Sequence, residues 1–401
     1  MNILVLTSAM ANKDFAPYVS RAKIKPNPSN QNFYNKLINC LAISNRVYAF
    51  SLRPFTKFMF DEEELSSSLS SEGTVTYYYP NQKVGKKYKA FEEAKSLYSQ
   101  VTKYIEDNNL TDYIVIVDTL RLPLLKIAGK LKSKMKCKVV GVVTDNPLNL
   151  SNPDPTYANL VRKYSRGFDG YICLSESLNR LFNPIKRKSY IVEGLVEELD
   201  IKRKLPLGEY IFFGGSLYER YGVKRMLDAF HKSKCPYNFV IAGRGDLYRY
   251  ITDLSAKDER LLFLSLLDKD TIYELESGAL ININPRPYDM KLDRESVPSK
   301  LLEYFASGAP VVSTTHTKLK ELFLNDAIWL DDDSTSNFEK FFNRLEDYPK
   351  HELERRATTA RLKVYQYYGL RVQSQKITNY LESISSPSIA DTIWSTVRFL
   401  S

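Results

Sequence analysis

Two glutamates, Glu295 and Glu303, stand eight positions apart in the stretch RESVPSKLLEYFASGAPVVST at residues 294–314. A Pro-Ser-Lys sequence between them favours a helix start, because proline is suited to the first helical turn. A helix start directs unpaired backbone amides and a partial positive charge outward. Together with the hydroxyl of Ser299 and the ammonium of Lys300, these amides predict a binding site for a diphosphate.

The two carboxylates suit the remaining parts of a nucleotide-sugar. Glu303 falls near the end of the first helical turn, where a carboxylate can accept hydrogen bonds from both hydroxyls of a ribose. Glu295 precedes the helix, in a loop from which its carboxylate can reach the hydroxyls of the sugar. The alternative for both residues is a solvated helix face, since glutamate is a good helix former.

Further small or cationic residues stand near the ends of predicted strands. Gly215 and Ser216 end one strand, and Arg220 follows shortly after them. Arg244 follows the next strand in the sequence AGRGD, and Arg286 is held between two prolines in a rigid loop. These residues are candidates for the phosphate side of the site. The alternatives are a glycine pair that simply ends a strand tightly and arginines that are ordinary loop charges.

Strands and helices alternate along the whole chain, which indicates the α/β class. Short apolar runs predict buried parallel strands, and apolar residues at helical spacing lie between them. We expect a polar loop from about Ala11 to Ser29 and irregular structure from 61 to 90. The predicted strands are 2–8, 46–52, 112–118, 139–145, 170–175, 210–216, 237–245, 261–267, 280–286 and 309–314.

A charged seam, EGLVEELDIKRKLPLG at 193–208, interrupts the alternation and predicts a linker between two domains. We expect an N-terminal Rossmann-like domain over 1–195, a C-terminal one over 208–375, and a C-terminal helix over 376–401 that crosses back to the first domain. Ligands of such sheets bind at the carboxyl ends of the strands. The predicted site would therefore lie in a central cleft that both parallel sheets face.

At this point the sequence resembles glycosyltransferase family 4, which has the GT-B fold. Glu295 and Glu303 match the E-x7-E pattern of that family, and GGSLYERYGVKRMLDAF at 214–230 is similar to the first motif of its C-terminal domain. INPRP at 283–287, followed by PSKLLEYFASGAPVV, resembles a bacterial subgroup that acts in polysaccharide biosynthesis. The resemblance covers roughly residues 210–315 well and the N-terminal half in outline.

The resemblance implies that Glu303 binds the ribose of the nucleotide, Lys300 and Ser299 its phosphates, and Glu295 the donor sugar. It implies retaining transfer of a hexosyl group without a bound metal or cofactor. Uridine diphosphate is the commonest carrier in the family, so a UDP-sugar is the expected donor. The acceptor expected from the subgroup is a glycan or a lipid-linked sugar.

The first motif departs from the family pattern. Many members have arginine and lysine there to hold the diphosphate, whereas this chain has Ser216 and Tyr221. Arg220, Arg286 and Lys300 are the cations that can share this role. Related sequences with the PSK motif often have an aromatic residue where Glu295 stands.

The N-terminal half offers polar residues after two strands. Asp145, with Thr144 before it, follows the apolar run VVGVV, and Asp118 ends the preceding strand. The side chain of Asp145 or of Thr144 could orient the acceptor hydroxyl or the donor. The alternative is that TDNP is an ordinary turn sequence. Retaining transfer needs no enzymic base where the leaving phosphate takes the acceptor proton, so catalysis would rest on positioning and on cations at the diphosphate.

Composition excludes several other classes. The four cysteines form no CxxC pair and the three histidines are scattered, which argues against a zinc site and favours buried thiols. The chain has no apolar run long enough for a transmembrane helix, and its first residues suit a strand better than a signal peptide. We therefore expect a cytoplasmic protein. Nucleic-acid motifs are missing from the sequence.

The formal net charge of +10 favours an anionic partner, although surplus lysine also serves solubility. Basic segments at 83–89 and 121–138 both fall in the predicted acceptor domain and suit contact with anionic lipid headgroups at the inner face of the plasma membrane. The alternative is a solvated helix face.

Two other functions remain open. One is a nucleotide-sugar 2-epimerase, which would be expected to use a histidine in the N-terminal domain, although the first 230 residues contain none. The other is a non-catalytic glycosyltransferase-like partner protein.

Overall fold

The computed structural model describes residues 1–24, 28–54, 59–61, 63–84, 90–150, 153–200, 206–287, 298–314 and 319–385. The chain forms two compact units. Of the described residues, the N-terminal unit holds those of Met1–Leu195 together with Leu370–Ser385, and the C-terminal unit holds those of Val196–Gly369. Of the predicted site residues, Glu295 lies outside the described residues.

An eight-stranded sheet forms the centre of the N-terminal unit, in the order β10-β9-β8-β7-β1-β2-β5-β4. Its pairs are parallel except for the antiparallel edge pair β4–β5. The central strands are mostly apolar and buried on both faces, as parallel strands between two helix layers must be. The strands of this sheet are β1 (Asn2–Thr7), β2 (Arg46–Ser51), β4 (Ser68–Glu72), β5 (Val75–Tyr79), β7 (Tyr113–Asp118), β8 (Lys138–Val143), β9 (Gly170–Cys173) and β10 (Lys188–Ile191).

Helices cover this sheet and form a separate apolar core on each of its faces. A small antiparallel pair, β3 (Glu63–Leu65) with β6 (Gln82–Val84), stands apart from the sheet. The helices are α1 (Asn12–Ser20), α2 (Ser29–Ala42), α3 (Ala90–Asp107), α4 (Leu122–Met135), α5 (Pro155–Ser165), α6 (Glu176–Phe182) and α13 (Leu370–Ser385).

Two sequence predictions about the N-terminal unit are wrong. The expected loop after β1 contains helix α1, and the expected irregular stretch 61–90 contains strands β3 to β6. Strand β5 pairs with the sheet through β2, and its alternate residues Val75, Tyr77 and Tyr79 are buried. The serine-rich strand β4 then pairs along β5. Pairing with an existing sheet edge therefore overrides the weak strand propensity of serine.

The C-terminal unit is built on a six-stranded parallel sheet in the order β13-β12-β11-β14-β15-β16. Apolar cores again lie on both faces. The strands are β11 (Tyr210–Ser216), β12 (Asn238–Arg244), β13 (Leu261–Phe263), β14 (Ile281–Asn284), β15 (Val311–Thr314) and β16 (Ile328–Leu330). The helices are α7 (Val223–Lys232), α8 (Tyr248–Ser255), α9 (Lys269–Gly278), α10 (Ser299–Ser307), α11 (Thr335–Asn343) and α12 (Lys350–Tyr368).

The chain leaves the C-terminal unit after α12 and returns to the N-terminal unit as α13. The Ser374 hydroxyl lies 3.1 Å from that of Ser44, and Asn45 donates to the hydroxyl of Thr378 at 2.9 Å. Helix α13 begins at Leu370, before the boundary predicted at 376. The predicted C-terminal segment from 386 to 401 lies outside the described residues.

The thiols of Cys40, Cys173 and Cys235 are buried, and that of Cys137 is half-buried. Within the described residues, we find no cluster of three or more side chains that could hold a metal ion. No helix in the same part of the chain combines the length and apolar character that crossing a membrane requires.

Candidate functional site

The ends of β11 and β12 bring the candidates Gly215, Ser216 and Arg244 side by side. Gly215 and Ser216 stand opposite Gly243 and Arg244 in the parallel register. Gly243 has a φ of +145°, and a Cβ at this position would lie 1.9 Å from the carbonyl oxygen of Gly215. Only glycine permits this approach. The side chains of Ser216 and Arg244 are exposed at this end of the sheet.

A second close approach joins the loops after β11 and β14. Gly222 has a φ of +81°, and a Cβ there would lie 2.0 Å from the carbonyl oxygen of Pro285. The next residue, Arg286, is half-buried, and its own carbonyl accepts a hydrogen bond from the Thr314 hydroxyl at 2.5 Å. The loops that carry Arg220 and Arg286 therefore pack closely against each other, backbone to backbone.

Two aromatic rings support Arg220. Its guanidinium carbon lies 5.3 Å from the centroid of the Tyr218 ring and 4.9 Å from that of Tyr221. Such contacts favour a cation over the ring face. Tyr221 thus positions a neighbouring cation.

Helix α10 begins where the sequence predicts it. Pro298 has extended backbone geometry before the first turn, and its carbonyl accepts a hydrogen bond from the amide of Leu301 at 3.0 Å. Ser299 is exposed at the first helical position. Gly308 ends the helix with a φ of +80°, which glycine adopts without strain.

Lys300, at the start of α10, forms ion pairs with two carboxylates. Its Nζ lies 3.1 Å from Oε1 of Glu276 on α9 and 3.0 Å from Oε2 of Glu303. The side chain of Glu276 is only 4% exposed, whereas that of Glu303 is 35% exposed. The carboxylate of Glu276 is therefore buried in the protein, whereas that of Glu303 is accessible to solvent.

These two carboxylates decide the protonation state of Lys300. Burial lowers the pKa of its ammonium, but the carboxylates of Glu276 and Glu303 outweigh that effect and hold the pKa well above its usual range. Lys300 is therefore a fixed positive charge at physiological pH. An ammonium has three donors, and within the described residues these two carboxylates use two of them.

Tyr304 joins α10 to β11. Its fully buried phenol accepts a hydrogen bond from the amide of Gly214 at 3.0 Å. The residue after Gly214 is the candidate Gly215, and the residue before Tyr304 is the candidate Glu303. The structure thus brings candidates from two distant stretches of sequence to one end of this sheet.

The candidates of the N-terminal unit lie at the carboxyl ends of β7 and β8. Asp145 is exposed two residues after β8, and Thr144 beside it is buried. Asp118 is fully buried at the end of β7, where its carboxylate accepts a hydrogen bond from the amide of Leu120 at 2.9 Å. Burial raises the pKa of the Asp118 carboxyl, although the bond from Leu120 opposes this.

Lysines of the basic segment 121–138 have partners within the N-terminal unit. The ammonium of Lys126 lies 5.5 Å from the ring centroid of Tyr164, and that of Lys130 lies 3.9 Å from the ring centroid of Tyr98. The basic segment 83–89 is described only to its second residue.

Glu276 and Tyr304 also contribute to this site, although the sequence does not mark them as candidates. Glu276 stands in an ordinary amphipathic helix pattern, so nothing in its neighbourhood distinguishes it. Tyr304 follows Glu303 directly and reads as one more core residue of α10. Only the tertiary contacts show that both touch the candidate site.

Residues 208–346 match a family model described as Glycosyl transferases group 1. The matched stretch contains β11 to β16 and every candidate residue of the C-terminal unit. No curated protein matches the chain.

Solved structures resemble the chain over almost its whole length. Sucrose-phosphate synthase from Thermosynechococcus elongatus is 13% identical, with a TM-score of 0.67 over 96% of this chain and 100% of that one. A UDP-forming α,α-trehalose-phosphate synthase from Burkholderia vietnamiensis is 13% identical, with a TM-score of 0.63 over 96% and 98%. Anabaena HepE in complex with UDP is 14% identical, with a TM-score of 0.60 over 96% and 100%. The chain therefore has the predicted GT-B fold.

Proposed function

We propose that the protein is a retaining, metal-independent glycosyltransferase that moves a sugar from a nucleotide-diphosphate sugar to a glycan or lipid-linked acceptor. One observation carries this proposal. The helix start with Ser299, Lys300 and Glu303 is fixed against the end of β11, inside the stretch that matches the glycosyltransferase family model.

The donor would bind along this end of the sheet. Backbone amides at the start of α10, the Ser299 hydroxyl and the remaining donor of Lys300 suit a diphosphate. The accessible carboxylate of Glu303 suits the two hydroxyls of the ribose. Gly215 and Ser216 would let the phosphates approach the backbone.

Three arginines complete the cationic side of the proposed site. Arg220 is held over two aromatic rings, and Arg286 is held by the bond between its carbonyl and the Thr314 hydroxyl. Arg244 is exposed beside Ser216 at the ends of adjacent strands. Their charges would stabilise the departing diphosphate, since preorganised cations act most strongly on charge that develops during the reaction.

In the proposed reaction the bond between the anomeric carbon and the diphosphate oxygen breaks. The acceptor oxygen bonds to the same face of that carbon, and its proton passes to the leaving diphosphate. Glu295 would contact the donor sugar, and Asp145 or Thr144 would orient the acceptor or the donor. No enzymic base is then required, and positioning supplies most of the rate enhancement.

We propose UDP as the carrier because two of the similar structures are named with it, a complex with UDP and a UDP-forming synthase.

The first experiment is calorimetric titration of UDP and of GDP into the wild type and into Glu303→Ala and Lys300→Ala. We expect one nucleotide to bind and each substitution to weaken it at least about tenfold, because each removes charged hydrogen bonds.

Matched controls are Glu354→Ala and Lys340→Ala, which remove the same residue types at exposed positions of α12 and α11. Their affinity should equal that of the wild type. Absence of binding by either nucleotide to the wild type would overturn the proposal and favour a non-catalytic partner. Isomerisation of the donor sugar without transfer would instead identify a 2-epimerase.

NMR of the transferred product tests whether the sugar retains its anomeric configuration during transfer.

We also propose that the acceptor side meets an anionic membrane surface at the inner face of the membrane. The support is the basic segment 121–138, in which Lys134 and Lys136 are exposed. Flotation with phosphatidylglycerol vesicles should recover the wild type and lose Lys134→Glu/Lys136→Glu. Phosphatidylcholine vesicles should recover neither. The control Lys232→Glu/Lys257→Glu changes the net charge equally on the C-terminal unit, and its loss of flotation would contradict a local contact.

A further inference from the structure

We infer that Glu276 is a positioning residue of the nucleotide site, whose carboxylate anchors Lys300 so that Lys300 holds Glu303 in the orientation that binds ribose. The inference rests on the proposed function, because it assigns the ribose to Glu303. It concerns a residue outside the PSK motif, contributed by the preceding helix α9.

The carboxylate of Glu276 is buried against the Lys300 ammonium. The side chain of Glu276 is 4% exposed, and its carboxylate lies 3.1 Å from the Lys300 ammonium. A buried carboxylate is costly to desolvate, and an ion pair with an ammonium seldom yields net stability. An apolar side chain would serve packing as well, so a buried pair at this place suits a role in geometry.

Solvent exposure of the side chains rises from Glu276 through Lys300 to Glu303. The side chain of Glu276 is buried, that of Lys300 is 29% exposed, and that of Glu303 is 35% exposed. The three side chains therefore form a chain of contacts from the interior to the surface. Lys300 and Glu303 are three residues apart on α10, so they lie on the same helical face.

Hydrogen bonds attach helix α10 to both β11 and α9. The bond between Tyr304 and Gly214 holds the helix to β11, and the bond between Lys300 and Glu276 holds it to α9. Glu303 stands between these two attachments in sequence. A flexible glutamate loses rotamer entropy when it binds a ligand, and an ammonium that already holds one of its oxygens reduces that cost.

The test must separate positioning from charge, since loss of the negative Glu276 would by itself favour an anionic ligand. UDP and 2′-deoxy-UDP carry the same diphosphate and differ in one ribose hydroxyl. The ratio of their dissociation constants therefore reports ribose recognition alone. The guanosine pair replaces them where GDP is the nucleotide that binds.

We expect the wild type to prefer UDP over 2′-deoxy-UDP about tenfold or more, as a hydrogen bond to a charged group implies. Glu303→Gln should reduce the ratio to near one. Glu276→Gln should reduce it at least about threefold, although it does not touch the nucleotide. The matched control Glu274→Gln lies on the same helix and should keep the wild-type ratio.

A folding check accompanies the test. Should Glu276→Gln lower the melting temperature too far, the double variant Glu276→Gln/Lys300→Met removes both charges of the buried pair and is compared with Lys300→Met alone. Equal ratios in these two variants support an effect that passes through Lys300. A lower ratio in the double variant overturns it.

The failures of the two proposals are distinguishable. A wild-type ratio in a folded Glu276→Gln, beside a collapsed ratio in Glu303→Gln, overturns the positioning role and leaves the proposed function standing. A wild type that does not discriminate between the two nucleotides overturns the inference through Glu303. A wild type that binds no nucleotide overturns the proposed function itself.

Discussion

The phenol oxygen of Tyr304 lies 3.0 Å from the backbone nitrogen of Gly214 and accepts its hydrogen bond, although 90 residues separate them in sequence. This bond ties the helix that carries Glu303 to the strand that ends with Gly215 and Ser216. This buried hydroxyl therefore helps to fix the relative position of these candidates.

Substitution of Tyr304 by phenylalanine should test that role. The change keeps the ring and leaves the Gly214 amide without this acceptor, which costs about 1–3 kcal/mol for a buried group. Urea unfolding should show a loss of this size relative to the control Tyr248→Phe, whose ring is 51% exposed. Nucleotide affinity should fall as well. Equal unfolding free energies in the two variants would contradict the structural role of the bond.

The strand pattern of the chain could be predicted because apolar runs are bounded by polar or turn residues. The strand predicted at 210–216 is confirmed at both ends. The strand predicted at 261–267 ends at Phe263, because Ser265 adopts a φ of 55° that breaks extended structure. Local sequence therefore predicts which segments become strands more reliably than where they end.

The site could be predicted only in part. A helix start with a serine and a lysine has a local signature, and the structure confirms the helix. Glu276 and Tyr304 meet it only through tertiary packing, so no spacing in the sequence marks them. The Glu295 prediction lies outside the described residues, and the roles of the remaining candidates stay predictions.

Gly215 and Gly243 should respond differently to alanine. At Gly215 an added Cβ would lie 3.5 Å from the Phe213 ring, an ordinary contact, so unfolding free energy should change by no more than about 1 kcal/mol. Nucleotide affinity should nevertheless fall about tenfold, because the methyl group would occupy the approach of a phosphate. Unchanged calorimetric affinity would remove Gly215 from the site.

Gly243→Ala serves as the contrasting variant. Its Cβ would lie 1.9 Å from the Gly215 carbonyl oxygen, at a φ of +145° that other residues rarely adopt. We expect a loss of roughly 3 kcal/mol or more, visible as a lower melting temperature without any ligand. A melting temperature equal to that of the wild type would mean that the ends of β11 and β12 do not approach as described.

Arg260 should be essential for the stability of the C-terminal unit. It donates to the Asp258 carboxylate from Nε at 2.9 Å and from Nη2 at 2.7 Å, and to the carbonyls of Ser233 and Cys235 at 3.0 and 2.8 Å. Its side-chain hydrogen bonds lower the pKa of Asp258 to about 2. Arg260→Ala should cost about 3–5 kcal/mol, since it leaves a buried carboxylate without its main partner.

The pH dependence of that loss follows from the lowered pKa of Asp258. The stabilisation is present above the unfolded pKa of about 3.9 and disappears as pH falls toward 2. Unfolding of the wild type and Arg260→Ala should therefore differ at pH 7 and converge in acid. Arg249→Ala, at an exposed position of α8, is the control and should match the wild type throughout.

Glu93 should make the N-terminal unit less stable at neutral pH. Its side chain is buried on α3, where one carboxylate oxygen accepts a hydrogen bond from the amide of Lys83 at 3.1 Å. Burial raises the pKa of Glu93 to about 7. The folded state thus binds more protons than the unfolded state between about pH 4.3 and 7, so this contribution to stability falls as pH rises through that window.

Glu93→Gln removes the charge while it keeps the shape of the side chain. The variant should be more stable than the wild type at pH 8, and the advantage should shrink at pH 5, where the wild-type carboxyl is protonated. Thermal melts at both pH values measure the difference, with Glu92→Gln at the neighbouring exposed position as the control. An advantage of equal size at pH 5 and pH 8 would show that Glu93 does not titrate in this range.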